Sequence, residues 1–230
     1  MRIAILETGR PPARLGGAYP GYGAMVERLV GPGHDYETYL ADRGALPGTG
    51  AHEAYLITGS PAGAYDPDPW IADLTAFLRN LDPGRRVVGL CFGHQVMAQA
   101  WGGQVEKSRT GWGLGLHRYD VVETAPFMDG ARAIAVPLSH QDQVVAPPPG
   151  ARVLAGSAFT PFGVLAYRDR AALSFQCHPE FAADYARALV SGHRAAEADP
   201  TFGAAALASL DAPHDSGRVG GWIRRFLEAR

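Results

Sequence analysis

Residues 87–95 place a cysteine at the junction between a predicted strand and a predicted helix. The apolar, β-branched run that begins at Val87 ends in Gly-Leu-Cys-Phe-Gly, and helix-compatible residues follow at once. Gly89 and Gly93 flank Cys91 at positions i−2 and i+2, where small residues relieve the crowding of a sharp strand-to-helix turn. Such a turn lifts the side chain at its apex away from the backbone. The N-terminal dipole of the helix that follows favours the thiolate form of a cysteine held there.

A second motif supplies a base for that sulfur. Residues 175–180 read as an apolar strand that ends in polar groups. His178 can exchange a proton near neutral pH, and Pro179 stiffens the link to Glu180, whose carboxylate can then hold the ring in one tautomer. Either motif alone is more often structural, as a packed cysteine or a simple turn. Both motifs at strand ends in one small chain indicate a Cys91, His178 and Glu180 triad.

Composition limits the classes of function that the chain can have. The 230 residues fit one α/β domain spanning residues 1–230, with 47% hydrophobic residues, 19% charged residues and a net charge of −2. This charge gives no electrostatic basis for binding nucleic acid or a membrane surface. No apolar run approaches the roughly 20 residues that cross a bilayer, and residues 1–7 read as a strand rather than a signal peptide.

The two cysteines bear on the redox environment. They are Cys91 and Cys177, and a disulfide between them would remove the proposed nucleophile. We therefore expect a reducing, cytoplasmic location. Neither a Cys/His set with zinc spacing nor a glycine-rich phosphate loop with its lysine is present in the sequence, so we expect no metal and no cofactor.

The first part of the chain alternates between predicted strands and helices. This alternation predicts a three-layer fold in which a mostly parallel central sheet carries helices on both faces. Ligands of such sheets bind beyond the carboxyl ends of the strands, where the Cys91 turn and residues 58–61 lie. The strands are predicted over residues 2–6, 35–40, 54–58 and 86–90, and the helices over residues 22–30 and 70–81.

The pattern changes between residues 103 and 175. Short runs separated by turn residues predict strands over residues 116–122, 133–138, 152–155 and 163–167, several of them antiparallel, which extend the sheet or form a small side sheet. After Glu180 the chain becomes alanine-rich, and helices are predicted over residues 181–193, 202–210 and 222–229. His193 and His214 are interpreted as surface or capping residues.

Three motifs resemble those of class I (triad-type) glutamine amidotransferases. Gly89-Leu90-Cys91-Phe92-Gly93-His94-Gln95 looks like the Gly-x-Cys-x-Gly-x-Gln elbow of that family, His178-Pro179-Glu180 looks like its His-Pro-Glu, and residues 58–66 resemble its oxyanion loop. Residues 111–113 and 139–142 indicate which branch of the family the chain resembles most. This is the stand-alone branch, which is similar to the amidotransferase domain of GMP synthase and includes γ-glutamyl peptidases. The resemblance implies a flavodoxin-like class I amidotransferase fold with a small antiparallel side sheet.

The resemblance also implies a mechanism. Cys91 attacks the γ-amide of glutamine, or another γ-glutamyl carbonyl, and forms a γ-glutamyl thioester, while His178 transfers protons and Glu180 orients His178. The backbone N–H groups of Ser60 and Phe92 are expected to form the oxyanion hole. Ser60 replaces the second glycine of the usual loop, so a positive φ at this position would cost strain.

Further residues are implied to contact the substrate. Asp142 could meet its α-ammonium group, although an ordinary loop hydrogen bond with His140 explains this pair equally well. His94 is expected to have a packing or hydrogen-bonding role, and Cys177 is expected to be buried because strand alternation directs it away from His178. The implied substrate contacts are Gly59, Gln95, Gly111, Trp112 and Asp142.

Two versions of the activity remain open, and both take glutamine or a γ-glutamyl small molecule. In the preferred version, ammonia released from glutamine passes to a separate synthase subunit, since the sequence has no second catalytic domain and no ATP-binding motif. In the other version the protein acts alone as a γ-glutamyl peptidase or hydrolase. A non-enzymatic regulatory binding module on this fold, and another elbow-cysteine enzyme, are the alternatives of other classes. The intact triad argues against the former, and Gln95 together with the His-Pro-Glu motif argues against the latter.

Overall fold

The computed structural model describes residues 1–15 and 17–229. Gly16 and Arg230, the two other positions of the predicted domain 1–230, lie outside the described residues. The strands are β1 (Arg2–Glu7), β2 (Asp35–Leu40), β3 (Ala54–Ile57), β4 (Arg86–Leu90), β5 (Gln104–Lys107), β6 (Gly113–Val121), β7 (Ala133–His140), β8 (Asp142–Ala146), β9 (Ala151–Gly156), β10 (Val164–Tyr167) and β11 (Ala172–Phe175). The helices are α1 (Tyr22–Val30), α2 (Pro69–Asn80), α3 (Phe92–Ala100), α4 (Ala183–Ser191), α5 (Arg194–Ala198), α6 (Pro200–Ser209) and α7 (Ser216–Glu228).

A nine-stranded sheet with the order β2-β1-β3-β4-β11-β10-β9-β6-β7 forms the centre of the fold. The five strands from β2 to β11 are parallel to one another, and the pairings from β11 to β7 are antiparallel. In the parallel part, Ile57 pairs with Gly89, and Phe175 pairs with Leu90. This register brings the residues after β3, β4 and β11 to one edge of the sheet, where the Cys91 turn lies.

Alternating side chains of the parallel strands bury two separate cores. Ile3 and Ile5 of β1 pack in the core that contains Trp222 of α7 and residues of α1, whereas Ala4 and Leu6 pack in the core that contains α2 and α3. Because both faces are covered, β1, β3 and β4 are almost continuous apolar runs, as parallel strands require. The predicted three-layer α/β fold is confirmed.

The antiparallel part also agrees with the predicted extension of the sheet. Strands β5 and β8 form a separate two-stranded antiparallel sheet, which confirms the small side sheet. Helices α4 and α6 bury a third cluster with Leu114 of β6 and Met25 of α1, and this cluster closes one side of the region around Cys91.

The structure differs from the predicted elements in the C-terminal region. The helix predicted over residues 181–193 begins at Ala183 and ends at Ser191, and the short helix α5 follows it. Helix α7 begins six residues before the predicted start at residue 222 and includes three glycines, which lower helix propensity. A Cβ on Gly220 would lie 2.6 Å from the carbonyl oxygen of Leu29, so the glycine allows α7 to pack closely against α1.

Candidate active site

Cys91 occupies the sharp turn between β4 and α3. Its backbone has φ 50° and ψ −100°, and it is the non-glycine residue with positive φ within the described part of the chain. The N–H of Cys91 donates to the carbonyl oxygen of Phe175 at 2.8 Å, and the N–H of Gly93 donates to that of Thr58 at 3.2 Å. A left-handed backbone at a cysteine costs energy, and here the neighbouring strands hold it in place.

The two flanking glycines are required by close packing. A Cβ on Gly89 would lie 2.5 Å from the carbonyl carbon of Gly93, and a Cβ on Gly93 would lie 2.5 Å from the carbonyl oxygen of Ile57. Both contacts are with backbone atoms, which cannot move aside as a flexible side chain can. The sequence-based interpretation of Gly89 and Gly93 as space-saving residues of a turn therefore agrees with the structure.

The end of β11 positions His178 and Glu180. The His178 N–H donates to the carbonyl oxygen of Pro137 at 2.9 Å, and its Nδ1 lies 2.7 Å from Oε1 of Glu180. The ring of Phe181 stacks on the imidazole, with centroids 4.0 Å apart and an angle of 6° between the planes. With Nδ1 engaged by the carboxylate, Nε2 is the ring nitrogen left to interact with Cys91, whose side chain lies beside the imidazole at Gly59.

Electrostatics favour a charged imidazole in this arrangement. Burial opposes the charged form, but the facing Cys91 and Glu180 outweigh it and raise the pKa of His178 from 6.5 to about 10. The side chains of His178 and Glu180 are 5% and 0% exposed, so solvent screens their interaction weakly. A sulfur beside this imidazole can share one proton with it, which is the arrangement that generates a thiolate–imidazolium pair.

Hydrogen bonds fix the loop after β3 beside Cys91 and His178. The hydroxyl of Thr8 donates to the carbonyl oxygen of Gly59 at 3.0 Å, and the hydroxyl of Thr58 donates to the same oxygen at 3.1 Å. In a trans peptide the C=O and the following N–H point in opposite directions, so the Ser60 N–H is directed away from Thr8. Ser60 is outside the positive-φ region, and the strain considered from the sequence does not arise.

The two backbone donors expected for an oxyanion are available. Within residues 1–15 and 17–229, neither the Ser60 N–H nor the Phe92 N–H donates a hydrogen bond. Phe92 is the first residue of α3, so its N–H has no partner within the helix and lies at the positive end of the helix dipole.

A cavity of about 500 Å³ opens above Cys91 and His178. It is bounded by the loops that follow β1 and β3, by the ends of β7 and β8, and by residues of α1 and α4. The lining residues include Arg10, Tyr22, Gly59, Ser60, Tyr65, Cys91, Gln95, Lys107, Trp112, Ser139, Gln141, Asp142, His178, Phe181, Leu189 and His193.

One wall of the cavity contains two of the predicted substrate contacts. Asp142 accepts a hydrogen bond from the Tyr65 hydroxyl at 2.9 Å through Oδ2, and its backbone carbonyl accepts one from Gln95 Nε2 at 2.7 Å. Gln95 Nε2 also donates to Oε1 of Gln176 at 3.2 Å. Both amide protons of Gln95 are therefore engaged within the protein, and a contact from its side chain to substrate is left to Oε1.

Another part of the cavity lining is aromatic and apolar. Phe181 lies 5.8 Å from Tyr22 between ring centroids, and Leu189 of α4 completes this surface. Trp112 is 37% exposed and packs edge-on against His193, with centroids 4.3 Å apart. Gly111, with φ 84°, does not line the cavity, so of the predicted pair only Trp112 reaches it.

Several cavity residues were not identified from the sequence. Arg10, Tyr22, Lys107 and Phe181 line the cavity but belong to no motif. Gln176 was not identified either; it does not line the cavity, but it contacts Cys91 and lies two residues before His178 in the same segment. Strand alternation places residues i and i+2 on the same face, and this is the signal that could have found Gln176.

Three other residues, His94, Cys177 and His193, have the structural roles expected of them. His94 is fully buried, its Nδ1 lies 2.8 Å from the Ser174 hydroxyl, and burial lowers its pKa to about 3. Cys177 is fully buried in the core next to α7. His193 accepts a hydrogen bond from the Ala195 N–H and caps α5, as interpreted from the sequence, and it also forms part of the cavity wall.

Metal-binding clusters and membrane-spanning helices are absent from the part of the chain that the structure describes. Across residues 1–15 and 17–229, no group of three or more His, Cys, Asp or Glu side chains is arranged to hold a metal ion. In that same part of the chain, none of the helices combines the length and the hydropathy that crossing a bilayer requires.

Comparison with known proteins agrees with this geometry. The family model of class I glutamine amidotransferases matches residues 50–189, so the chain belongs to this family. A glutamine amidotransferase-like protein of Schizosaccharomyces pombe is 31% identical over 216 residues, covering 85% of both chains. γ-Glutamyl peptidase 4 of Arabidopsis thaliana is 30% identical over 191 residues, covering 76% of both chains.

Two further similarities concern a multidomain enzyme and the fold. A GMP synthase of Thermus thermophilus is 36% identical over 133 residues, which are 56% of this chain and 25% of the synthase. The crystal structure of a glutamine amidotransferase from Thermotoga maritima superposes with a TM-score of 0.79 at 16% identity, covering 99% of this chain and 98% of that one. At this identity the superposition shows a shared fold.

Proposed function

We propose that this protein hydrolyses γ-glutamyl amides by covalent catalysis at Cys91 and acts alone on substrates larger than glutamine. The observation that carries the proposal is the placement of Cys91 beside His178 in the cavity lining, with His178 hydrogen-bonded to Glu180. This arrangement supplies a nucleophile, a proton carrier and an orienting carboxylate in one place.

The first half-reaction forms a γ-glutamyl thioester. The Cys91 thiolate attacks the γ-carbonyl carbon of the substrate, and the N–H groups of Ser60 and Phe92 bind the developing oxyanion. The imidazolium of His178 then gives its proton to the leaving nitrogen, the C–N bond breaks, and the free amine departs. Glu180 keeps the ring in the orientation in which its other nitrogen faces the reacting atoms.

The second half-reaction releases the acid. Neutral His178 takes a proton from water as the oxygen attacks the thioester carbonyl, and a second tetrahedral oxyanion forms at the same N–H groups. Its collapse breaks the C–S bond, returns Cys91 to the thiolate and His178 to the imidazolium, and releases the γ-carboxylate of glutamate. One water is consumed for each amide bond that is broken.

The size of the cavity supports a leaving amine larger than ammonia. A volume of about 500 Å³ lies in the range of sites that hold drug-sized ligands and exceeds the needs of one amino acid. Phe181, which stacks on His178, forms an apolar part of the lining with Tyr22 and Leu189, and a leaving amine larger than ammonia can pack there. Arg10, whose guanidinium lies 3.7 Å from the Glu7 carboxylate, also lines the cavity.

The relatives support the same version of the activity. Similarity to γ-glutamyl peptidase 4 covers 76% of both chains, whereas similarity to the Thermus GMP synthase covers 25% of the synthase. Every group that the two half-reactions use lies on this chain.

A substrate panel with two cysteine variants tests the proposal. Purified protein is incubated with glutamine and with γ-glutamyl dipeptides, and glutamate and the released amine are measured. Cys91→Ala should lower turnover on the order of 10⁴-fold or more, because the nucleophile is lost. Cys177→Ala is the matched control and should retain turnover, since Cys177 is buried away from the cavity. Full activity of Cys91→Ala, or no cleavage of any γ-glutamyl compound by the wild type, would refute the proposal.

A glutamine-dependent synthase subunit is the second candidate. The 36% identity to the Thermus GMP synthase over 56% of this chain favours it. The same panel separates the two functions. Weak glutamine hydrolysis that rises when a cell extract supplies a partner, together with no dipeptide cleavage, would favour the subunit over the stand-alone hydrolase.

A further inference from the structure

Gln176 is a buried amide that lies next to the nucleophile and has no part in the triad. It follows β11 directly, its side chain has no exposed surface, and its backbone N–H donates to the carbonyl oxygen of Gly163 at 2.9 Å. Its Nε2 lies 3.6 Å from Sγ of Cys91, within hydrogen-bonding distance for sulfur. Burying an amide without hydrogen-bond partners costs free energy, so the partners of the Gln176 side chain determine what this residue can do.

The hydrogen-bond network fixes which end of the amide faces the sulfur. The backbone carbonyl of Asp142 can only accept, so the group of Gln95 that lies 2.7 Å from it must be the NH₂ group. The same NH₂ group lies 3.2 Å from the Gln176 amide and must meet its oxygen. The NH₂ group of Gln176 is therefore the end that points at Cys91, and a flipped amide would place two donors against each other.

This orientation has a chemical consequence for the sulfur. A hydrogen bond to an ionised acceptor is about twice as strong as one between neutral groups, so an N–H directed at Sγ stabilises the thiolate more than the thiol. The donor is fixed, because Gln95 holds the amide oxygen and the loop at Asp142 holds Gln95. A fixed donor also holds the sulfur at one position relative to His178.

We propose that Gln176 is a positioning residue that holds the Cys91 thiolate through its amide N–H and connects it, by way of Gln95, to the substrate-side loop at Asp142. The role in turnover rests on the proposed hydrolysis of γ-glutamyl amides. The contact with the sulfur does not, because it exists without substrate.

Other titratable groups lie near Cys91. His178, backed by Glu180, is the charged neighbour and comes from the end of β11. Tyr22 of α1, Tyr119 of β6 and Cys177 are near enough to interact with it, but burial raises the pKa of each above its ordinary value, and they stay neutral. The effect of Gln176 must therefore be measured as a difference between variants that leave these groups in place.

The test measures the rate at which iodoacetamide alkylates Cys91 between pH 5 and pH 10. Mass spectrometry of the Cys91 peptide gives this rate, which follows the fraction of Cys91 present as thiolate. In Gln176→Met, which has no donor, the midpoint of the rate profile should move to higher pH by about one unit, a tenfold loss of thiolate on the acidic side. Gln176→Glu keeps the acceptor for Gln95 but places a carboxylate oxygen against the sulfur, and its midpoint should move further. Gln143→Met is the matched control, a buried glutamine whose side chain does not line the cavity.

Turnover provides a second readout. If the γ-glutamyl hydrolysis holds, Gln176→Met should lower kcat about tenfold with little change in KM, because Gln176 does not line the cavity. A residue with only a structural role would lower the unfolding midpoint without moving the alkylation profile. Gln176→Glu, which keeps the shape of the side chain, decides the question if Gln176→Met does not fold.

The outcomes separate this proposal from the proposed function. Midpoints of Gln176→Met and Gln176→Glu that equal those of the wild type and Gln143→Met would overturn the role of Gln176, whatever the enzyme hydrolyses. A displaced midpoint in a protein that cleaves no γ-glutamyl compound would support the contact with the sulfur and refute the hydrolase.

Discussion

Gly59 and His178 are packed so closely that a Cβ added to Gly59 would lie 2.8 Å from Cε1 of the imidazole. The same Cβ would lie 3.7 Å from Cβ of Cys91. The loop after β3 therefore passes beside both Cys91 and His178, and only a residue without a side chain fits at position 59 without displacing the imidazole. The carbonyl of Gly59 is held by Thr8 and Thr58, so the backbone cannot yield to a larger residue.

Gly59→Ala is expected to reduce kcat/KM about 100-fold while the fold is kept, because a displacement of about 1 Å in a reacting group has this effect. The imidazole cannot move aside easily, since it is bonded to Glu180 at 2.7 Å and stacked on Phe181. Steady-state kinetics on the best γ-glutamyl substrate and thermal unfolding measure the two effects. Gly48→Ala is the matched control, because a Cβ there would meet no atom within 4 Å. Equal activity of the two variants would show that the loop can relax.

The charge of Glu180 is expected to set the alkaline limit of activity. Cys91 and Glu180 raise the pKa of His178 to about 10, so the imidazolium that protonates the leaving amine is lost as the pH rises through that value. Glu180→Gln keeps the size of the side chain and removes its charge, which lowers the pKa of His178 and moves the alkaline limb of the rate profile to lower pH. Turnover at pH 8 should fall on the order of 10²–10³-fold, less than for loss of Cys91.

Asp184→Asn is the control for this experiment, because Asp184 is an exposed carboxylate on the same segment of the chain. Its rate profile should coincide with that of the wild type. An alkaline limb that Glu180→Gln leaves in place would mean that Glu180 does not control the proton on His178.

The strands and helices of the parallel part of the sheet could be predicted, because buried positions in them follow patterns between residues close in sequence. Strands β2 and β4 and helix α1 have the predicted bounds, since apolar runs and helical spacing are local properties. The Cys91 turn was predictable for the same reason, because Gly89 and Gly93 lie within two residues of it. The start of α7 was not predictable, because its glycines lower helix propensity and the packing of one of them, Gly220, against Leu29 involves a residue distant in sequence.

The same distinction applies to the site. His178 and Glu180 are two residues apart, and their hydrogen bond follows from that spacing. The partners of Gln176 lie 81 and 85 residues away, so no local pattern shows that its amide meets Gln95 and Cys91. The apolar part of the cavity lining likewise consists of residues distant in sequence, and only the assembled fold brings them together. They include Tyr22 of α1, Leu189 of α4 and Trp112 in the loop before β6.

Buried neutral His94 is expected to make the protein less stable in acid. Burial lowers its pKa in the folded state to about 3, whereas the unfolded chain binds the proton near pH 6.5. Between these values the unfolded state holds more protons, so the free energy of unfolding falls as the pH is lowered from 6.5 towards 3, by about 1.4 kcal/mol per pH unit for this group. His140, whose pKa burial and His178 lower to about 3, adds a similar slope.

Denaturant unfolding of the wild type and His94→Gln at pH 7, 5 and 4 checks this expectation. The variant loses the hydrogen bond to Ser174 and should be less stable at pH 7, but its stability should decline less steeply in acid. His214→Gln, at an exposed position, should follow the wild-type slope. Parallel pH dependences for His94→Gln and the wild type would show that His94 is not neutral in the folded protein.

Trp112 is expected to select for the leaving group rather than for the glutamyl group. Its ring packs on His193 and lines the cavity, and in the proposed reaction we place the leaving amine against this apolar part of the lining. Trp112→Ala should therefore reduce kcat/KM about tenfold for γ-glutamyl amides with an aromatic leaving amine. This is the effect expected when one aromatic contact and the area it buries are lost. Hydrolysis of glutamine, whose leaving group is ammonia, should change little. Val145→Ala, at an exposed apolar residue outside the cavity, is the control. An equal loss on glutamine and on the aromatic amide would place Trp112 on the glutamyl side of the site instead.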